Sequence, residues 1–210
     1  MAYIGSLLAR GKFINLSLVK SCLQAVTNWC QKYVSKVEFS ANNYASAELH
    51  TLFYCACQTI FYLVTFKHGS FFKNPDIVNF IKHLNLERLI NSEVNPLFGC
   101  NKAVVDNFAA ISTHFEIAPC YAVIEKNRRK HIPTVGVLGV FKLSGNMLDS
   151  LFPFEPIDAE GMLKSSAQCI ELFYQDFEPL PAEVLEAAGM SESSEENLPE
   201  EDDNSDDFLD

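Results

Sequence analysis

The chain has 210 residues, 48% of them hydrophobic, with nine Gly and nine Pro; this excludes a chain disordered throughout and a turn-rich β-sandwich, and leaves enough length for one real core. The net charge of −11 is unevenly placed, because twelve of the 27 acidic residues and none of the 16 basic ones lie between Glu183 and Asp210. The stretch before Glu183 is close to neutral, which argues against broad, counterion-driven binding to nucleic acid.

Helix signals dominate the first 130 residues. Asn15 or Ser17 caps a helix whose apolar stripe runs Val19, Cys22, Leu23, Val26, Cys30, Tyr33, Val34 and Val37, the i, i+3, i+4 repeat of one buried face. Lys20, Gln24, Thr27, Asn28, Gln31 and Lys32 fill its opposite side. After a polar loop around Ser40 to Tyr44, Ser46 is placed to cap a long apolar helix ending near Lys67. Leu49 to Phe66 within it has no Asp, Glu, Lys or Arg, which raises a membrane-spanning alternative. His50, Thr51, Gln58 and Thr59 interrupt the segment, so a helix buried inside a helical body is favoured and no membrane partner is expected.

Asn74-Pro75 is a cap followed by proline at the first helical position, opening a helix that carries Ile77, Phe80, Ile81 and Leu84. A short piece from Leu86 to Asn91 leads to a break at Asn95-Pro96. Asn101 starts a further helix with Val104, Val105, Phe108, Ile111 and Phe115 inward. Pro119 starts one more, with Cys120, Val123 and Ile124 on its apolar side. Helix after helix with short loops predicts an all-α body, either a repeat stack or an irregular bundle, and no repeat period decides between them.

The character changes after Lys130. Thr134 to Leu143 is β-branched and glycine-containing, which reads as a short hairpin or an irregular loop. The two prolines of LFPFEP (151–156) forbid a regular helix interior, so Leu151, Phe152 and Phe154 are expected to pack as an extended segment on the body. Ile170, Phe173, Tyr174 and Phe177 return to helical spacing. The expected organisation is a helical body (1–130), an irregular segment packing back on it (131–187) and a disordered acidic tail (188–210).

Catalytic groupings are missing from the sequence. The seven cysteines form no C-x-x-C and sit mostly in apolar runs, as reduced, buried thiols do. Cys55 and Cys57 lie about 200° apart around a helix and do not share a face. None of the five histidines forms H-E-x-x-H, His114 and Glu116 are an ordinary pair, and no phosphate or dinucleotide loop is present. The expectation is a non-enzyme with no cofactor, metal or small-molecule substrate. No secretory signal pattern is seen at the N-terminus.

Two features can carry function without catalysis. Lys126, Arg128, Arg129, Lys130 and His131 end a helix, where positive charge complements the helix dipole in the plainer reading. The alternative is a contact for an acidic partner surface or a phosphate group. The tail holds Ser191, Ser193, Ser194 and Ser205 among acids, and Ser193 with Glu196 fits an acidophilic kinase. It reads either as a solubilising tail or as a charge-regulated arm ending in Phe208-Leu209.

Several segments resemble, in order, the RNA polymerase I-specific transcription initiation factor family. They are YIGSLLAR (3–10), KFI (12–14), VKSCL (19–23), ACQTIFYLVTFKH (56–68), LERLI (86–90), NPL (95–97), NFAAI (107–111), CYAVIEKNRR (120–129), LFPFEP (151–156) and DDFL (206–209). The resemblance, and not the periodicity, implies a HEAT-like repeat fold. It implies binding to RNA polymerase I and to a promoter-bound selectivity or core factor at ribosomal RNA genes, a nuclear and nucleolar location, and control by phosphorylation; direct DNA contact stays open. A generic helical-repeat adaptor is the alternative. Family members are much longer, and this chain corresponds to their C-terminal part, so Ile4, Leu7 and Leu8 are expected to lack stacking partners. His131 to Asn146 matches the family least.

Overall fold

A computed structural model describes residues 1–39, 47–130, 168–171 and 177. The chain divides into two units, Met1–Phe177 and Glu178–Asp210, the second lying wholly outside the described residues. Also outside them are the domain boundary expected near 187, Ser46, Thr134 to Leu143, LFPFEP and the acidic tail, while the boundary expected near 130 falls at the edge of the described residues.

Among the described residues the first unit is helical, with one isolated bridge and no strand. In chain order the helices are α1 (Ala2–Arg10), α2 (Leu16–Phe39), α3 (Thr51–Phe66), α4 (His68–Phe71), α5 (Pro75–His83), α6 (Leu86–Ile90), α7 (Pro96–Gly99), α8 (Lys102–His114) and α9 (Cys120–Lys130), with a 3-10 turn, Ala47–His50, leading into α3.

Three of the predicted caps form where the sequence places them, whereas α3 starts at Thr51 after His50 without a side-chain cap. The side-chain oxygen of Asn15, rather than that of Ser17, accepts from the Leu18 amide at 2.8 Å. Asn74 accepts from the Asp76 amide and Asn101 from the Ala103 amide, each at 2.9 Å, satisfying amides that the first turn leaves without a partner.

α3 is the hub. Thirteen of its 16 residues are buried, and α1, α2, α7 and α8 all pack against it. Among the described residues no helix is long and apolar enough to cross a membrane. The polar groups of α3 find partners inside the protein instead. Tyr54 donates to the Val94 carbonyl at 2.8 Å, Thr59 to the Cys55 carbonyl at 2.9 Å, and Gln58 accepts from the Asn101 amide at 2.8 Å. Phe61 stacks on Phe108 of α8, with ring centroids 4.4 Å apart. Each such aromatic buried from water stabilises the fold by roughly 1.5–3 kcal/mol.

Three expectations change. Thr27, read as outward, is buried in the α2–core seam at 1% exposure, one turn from Leu23 and Cys30, and its hydroxyl is left without a hydrogen bond. Leu8 is buried, because α1 packs on α3, while Ile4 and Leu7 are exposed. Ile170, expected at helical spacing, instead forms an antiparallel bridge with Gly11. The turn after α1 exposes backbone groups that the chain at 169–171 satisfies: the Lys12 amide donates to the Cys169 carbonyl at 2.9 Å and the Glu171 amide to the Arg10 carbonyl at 2.7 Å. The Arg10 guanidinium, buried, adds bonds to the Tyr62 hydroxyl (3.1 Å) and the Glu171 carbonyl (3.2 Å) and lies 4.7 Å from the Phe66 ring centre.

α7 approaches α3 without a side chain between them. A Cβ on Gly99 would meet the Tyr54 ring at 2.6 Å, and that ring is fixed by its bond to Val94. Gly99→Ala is expected to cost about 1–3 kcal/mol by overpacking, read as a lowered denaturant midpoint at unchanged slope. The thiols give a second check. Burial pushes the Cys57 and Cys100 thiols well up and Cys120 to about 11. In native protein at neutral pH, a thiol reagent should label exposed Cys169 quickly and reach Cys57, Cys100 and Cys120 only on unfolding.

Candidate partner-binding site

The cationic end of α9 is the strongest concentration of like charge among the described residues. Its placement starts one helix earlier. α8 ends at His114, and Glu116 takes a left-handed conformation, φ 52°, that reverses the chain. The Ile117 amide then donates to the Ser112 carbonyl at 2.8 Å, and Ser112 Oγ to the Ala118 carbonyl at 3.3 Å. Cys120 at the start of α9 is fully buried, and Val123 and Ile124 pack partly buried against the core.

A side-chain amide pair fixes the far end of α9. Asn127 and Asn95 exchange two hydrogen bonds, at 2.8 and 3.0 Å. Asn95 precedes α7 in the left-handed region, φ 53°, a conformation asparagine tolerates better than most residues. The pair sets the rotation of α9 about its axis. Cys120, Val123, Ile124 and Asn127 face in, so Ala122, Glu125, Lys126 and Arg129 line one outward face.

The charges are arranged around one carboxylate. Glu125 receives Arg128 Nε at 2.9 Å, three residues on, and Arg129 Nε at 2.9 Å, four residues on. These contacts, the Arg129 hydrogen bond first, hold its carboxyl below the usual range. Two guanidiniums share one carboxylate, and Lys126 stands exposed beside them, so the face remains cationic and both arginines are drawn toward Glu125. Lys130 is the last residue of α9. His131 and the tail serines Ser191, Ser193, Ser194 and Ser205 lie outside the described residues. The sequence shows the basic run but not its organisers. Glu125 is visible at helical spacing from both arginines, whereas Asn95 and Asn127, far apart in the chain, carry no sequence signal. The His114–Glu116 pair does not form a site: Glu116 reaches Lys82 at 3.9 Å, while His114 sits edge-on to Phe115 and Phe177.

The sign of the Glu125 shift defines a test. A depressed carboxyl favours the fold above its ordinary titration range, and that contribution fades as pH falls through the depressed value. Arg129→Ala should raise the Glu125 pKa toward the ordinary range, read by carbon NMR titration of the side-chain carboxyl, while Arg128→Ala moves it less.

Residues 1–182 match the family described as RNA polymerase I specific transcription initiation factor RRN3. The chain is 37% identical to the mouse RNA polymerase I-specific transcription initiation factor RRN3, covering 99% of this chain and 31% of that protein. It is 26% identical to the Schizosaccharomyces pombe factor, over 85% of this chain and 29% of the relative. The crystal structure of RNA polymerase I transcription initiation factor Rrn3 superposes with a TM-score of 0.68 at 25% identity, over 81% of this chain and 35% of the other. The chain thus spans about a third or less of the length of these relatives. Since the match runs through every described helix, and the helical architecture agrees with the solved relative, the chain belongs to the RNA polymerase I-specific transcription initiation factor RRN3 family.

Proposed function

We propose that this chain acts as a non-catalytic part of an RNA polymerase I initiation factor, binding the polymerase and a promoter-bound selectivity or core factor at ribosomal RNA genes in the nucleus and nucleolus. The observation that carries the reading is the family match over residues 1–182. In this reading the work of the chain is display: a packed helical body holds a few charged side chains in place for a partner. The outward end of α9, with Lys126, Arg128, Arg129 and Lys130, meets an acidic surface of one of these partners. Fixed arginines suit that role, because a guanidinium already held in place loses less side-chain freedom when it binds. Ser191, Ser193, Ser194 and Ser205 are the proposed phosphorylation sites of the acidic tail, each phosphate adding up to about two negative charges.

The test is recovery of RNA polymerase I, or of the promoter-bound factor, with the tagged chain from nuclear extract. Lys126→Glu should reduce recovery several-fold while leaving both Glu125 pairs intact, and Arg128→Glu with Arg129→Glu should reduce it further. Unchanged recovery in a folded triple variant would move the contact off α9. Recovery of neither partner by the folded wild-type chain would set this reading aside in favour of a generic helical adaptor.

A further inference from the structure

α2 has two apolar edges. The inner one, Val19, Leu23, Cys30, Val34 and Val37, is buried against the core. The outer one runs Leu18, Cys22, Ala25, Trp29 and Tyr33. Steps of four, three, four and four residues keep these on one line along the helix, about 22 Å long. Leu18 is 49% and Trp29 39% exposed, and Ala25 is exposed between them, with Cys22 and Tyr33 half-buried alongside. The opposite flank of α2 is already engaged. Gln31 donates to the Leu84 and Asn85 carbonyls, and Arg88 reaches Ser35 and Glu38.

The outer edge also has a one-sided charge. No Asp or Glu occurs from Met1 to Val37, and exposed Lys32 and Lys36 lie three and seven residues beyond Trp29, on the same side of the helix. Trp29 itself is held in place: its ring stacks on Tyr33 at 5.4 Å, Tyr33 stacks on Phe53 at 5.2 Å, and the Tyr33 hydroxyl bonds the His50 ring nitrogen at 2.8 Å. A fixed, partly exposed tryptophan within an apolar line is the kind of anchor that dominates interface energy.

We infer that the outer edge of α2 receives an acidic amphipathic helix of a partner protein. Its apolar side chains seat against Leu18, Cys22, Ala25 and Trp29, and its carboxylates lie beside Lys32 and Lys36, as the flanking charges of paired helices do. A bilayer fits less well, because the edge is one side chain wide and two lysines flank it, whereas membrane adhesion uses a broad apolar face with more cations. The inference involves no residue of α9 and stands apart from that site.

Trp29 is the only tryptophan of the chain, so its emission reports the edge directly. The full chain is titrated with a synthetic helix bearing leucines at the a and d positions of each heptad and glutamates at e and g. A saturable blue shift is expected. Leu18→Glu, at an exposed position, should abolish it with circular dichroism unchanged. Lys32→Glu with Lys36→Glu should weaken binding roughly three- to tenfold, and a control helix with lysines replacing the glutamates should bind more weakly by at least as much. No shift with the acidic helix, or equal binding of the two helices, overturns the proposal. So does a shift seen only with phosphatidylserine vesicles, or one that follows protein concentration without peptide.

Discussion

A helix with no charged residue and apolar side chains around most of its circumference cannot rest on the surface of a protein in water, and α3 is such a helix, with 13 of its 16 residues buried. The rest of the described structure follows from covering it. α1 and α2 cover it from one end of the chain and α7 and α8 from the other. The cover must also be polar at chosen points, since α3 carries a tyrosine, a glutamine and threonines into the interior. Val94 and the Asn101 amide answer Tyr54 and Gln58 from the α6–α8 connections. An unanswered buried group costs about 1–3 kcal/mol, and the hydroxyls of Thr27 and Thr65 stand in that position. α7, between these connections, leaves room only for hydrogen at Gly99.

The cationic face of α9 is a by-product of this packing. α9 belongs to the body through Cys120, Val123 and Ile124, and its azimuth is set by the Asn95–Asn127 pair. Once that azimuth is fixed, Lys126 and Arg129 must point outward and Glu125 must lie among the arginines. Removing the amide pair would therefore loosen the aim of the cationic face without touching a charge. A rigid scaffold of this kind lowers the entropy lost when charged side chains meet a partner.

The chain at 169–171 shows how a distant segment is tied to the body with few side-chain demands. Two backbone hydrogen bonds to the turn after α1 would form with almost any sequence. Specificity comes from Arg10, whose guanidinium reaches the Glu171 carbonyl while stacking over Phe66. Nearby, burial lowers the Lys67 ammonium and Glu171 works against that shift. Arg10 and Lys67 thus both feel Glu171, the first through its backbone carbonyl and the second through its charge.

Much of this was legible in order along the chain. Asn15, Asn74-Pro75 and Asn101 mark helix starts because a side-chain amide oxygen followed by a helical run has one favourable local geometry. The lack of charge in α3 places it at the centre, and the basic run of α9 is plain as a run. Local sequence could not place Thr27, since its helical angle lies at the margin of the buried stripe and only the approach of neighbouring helices decides which margin is covered. It could not turn Ile170 from a helical spacing into a bridge, because the partner groups are 159 residues away at Gly11. Nor could it show that Asn95 and Asn127 meet, or that α2 keeps a second apolar edge facing out. The sequence by itself determined the helices, their caps, the buried hub and where the charge lies, all being set by contacts within a few residues. The tertiary structure alone decided which faces are covered, which charges share a partner and which side chains a partner can reach, because those depend on groups brought together from distant parts of the chain.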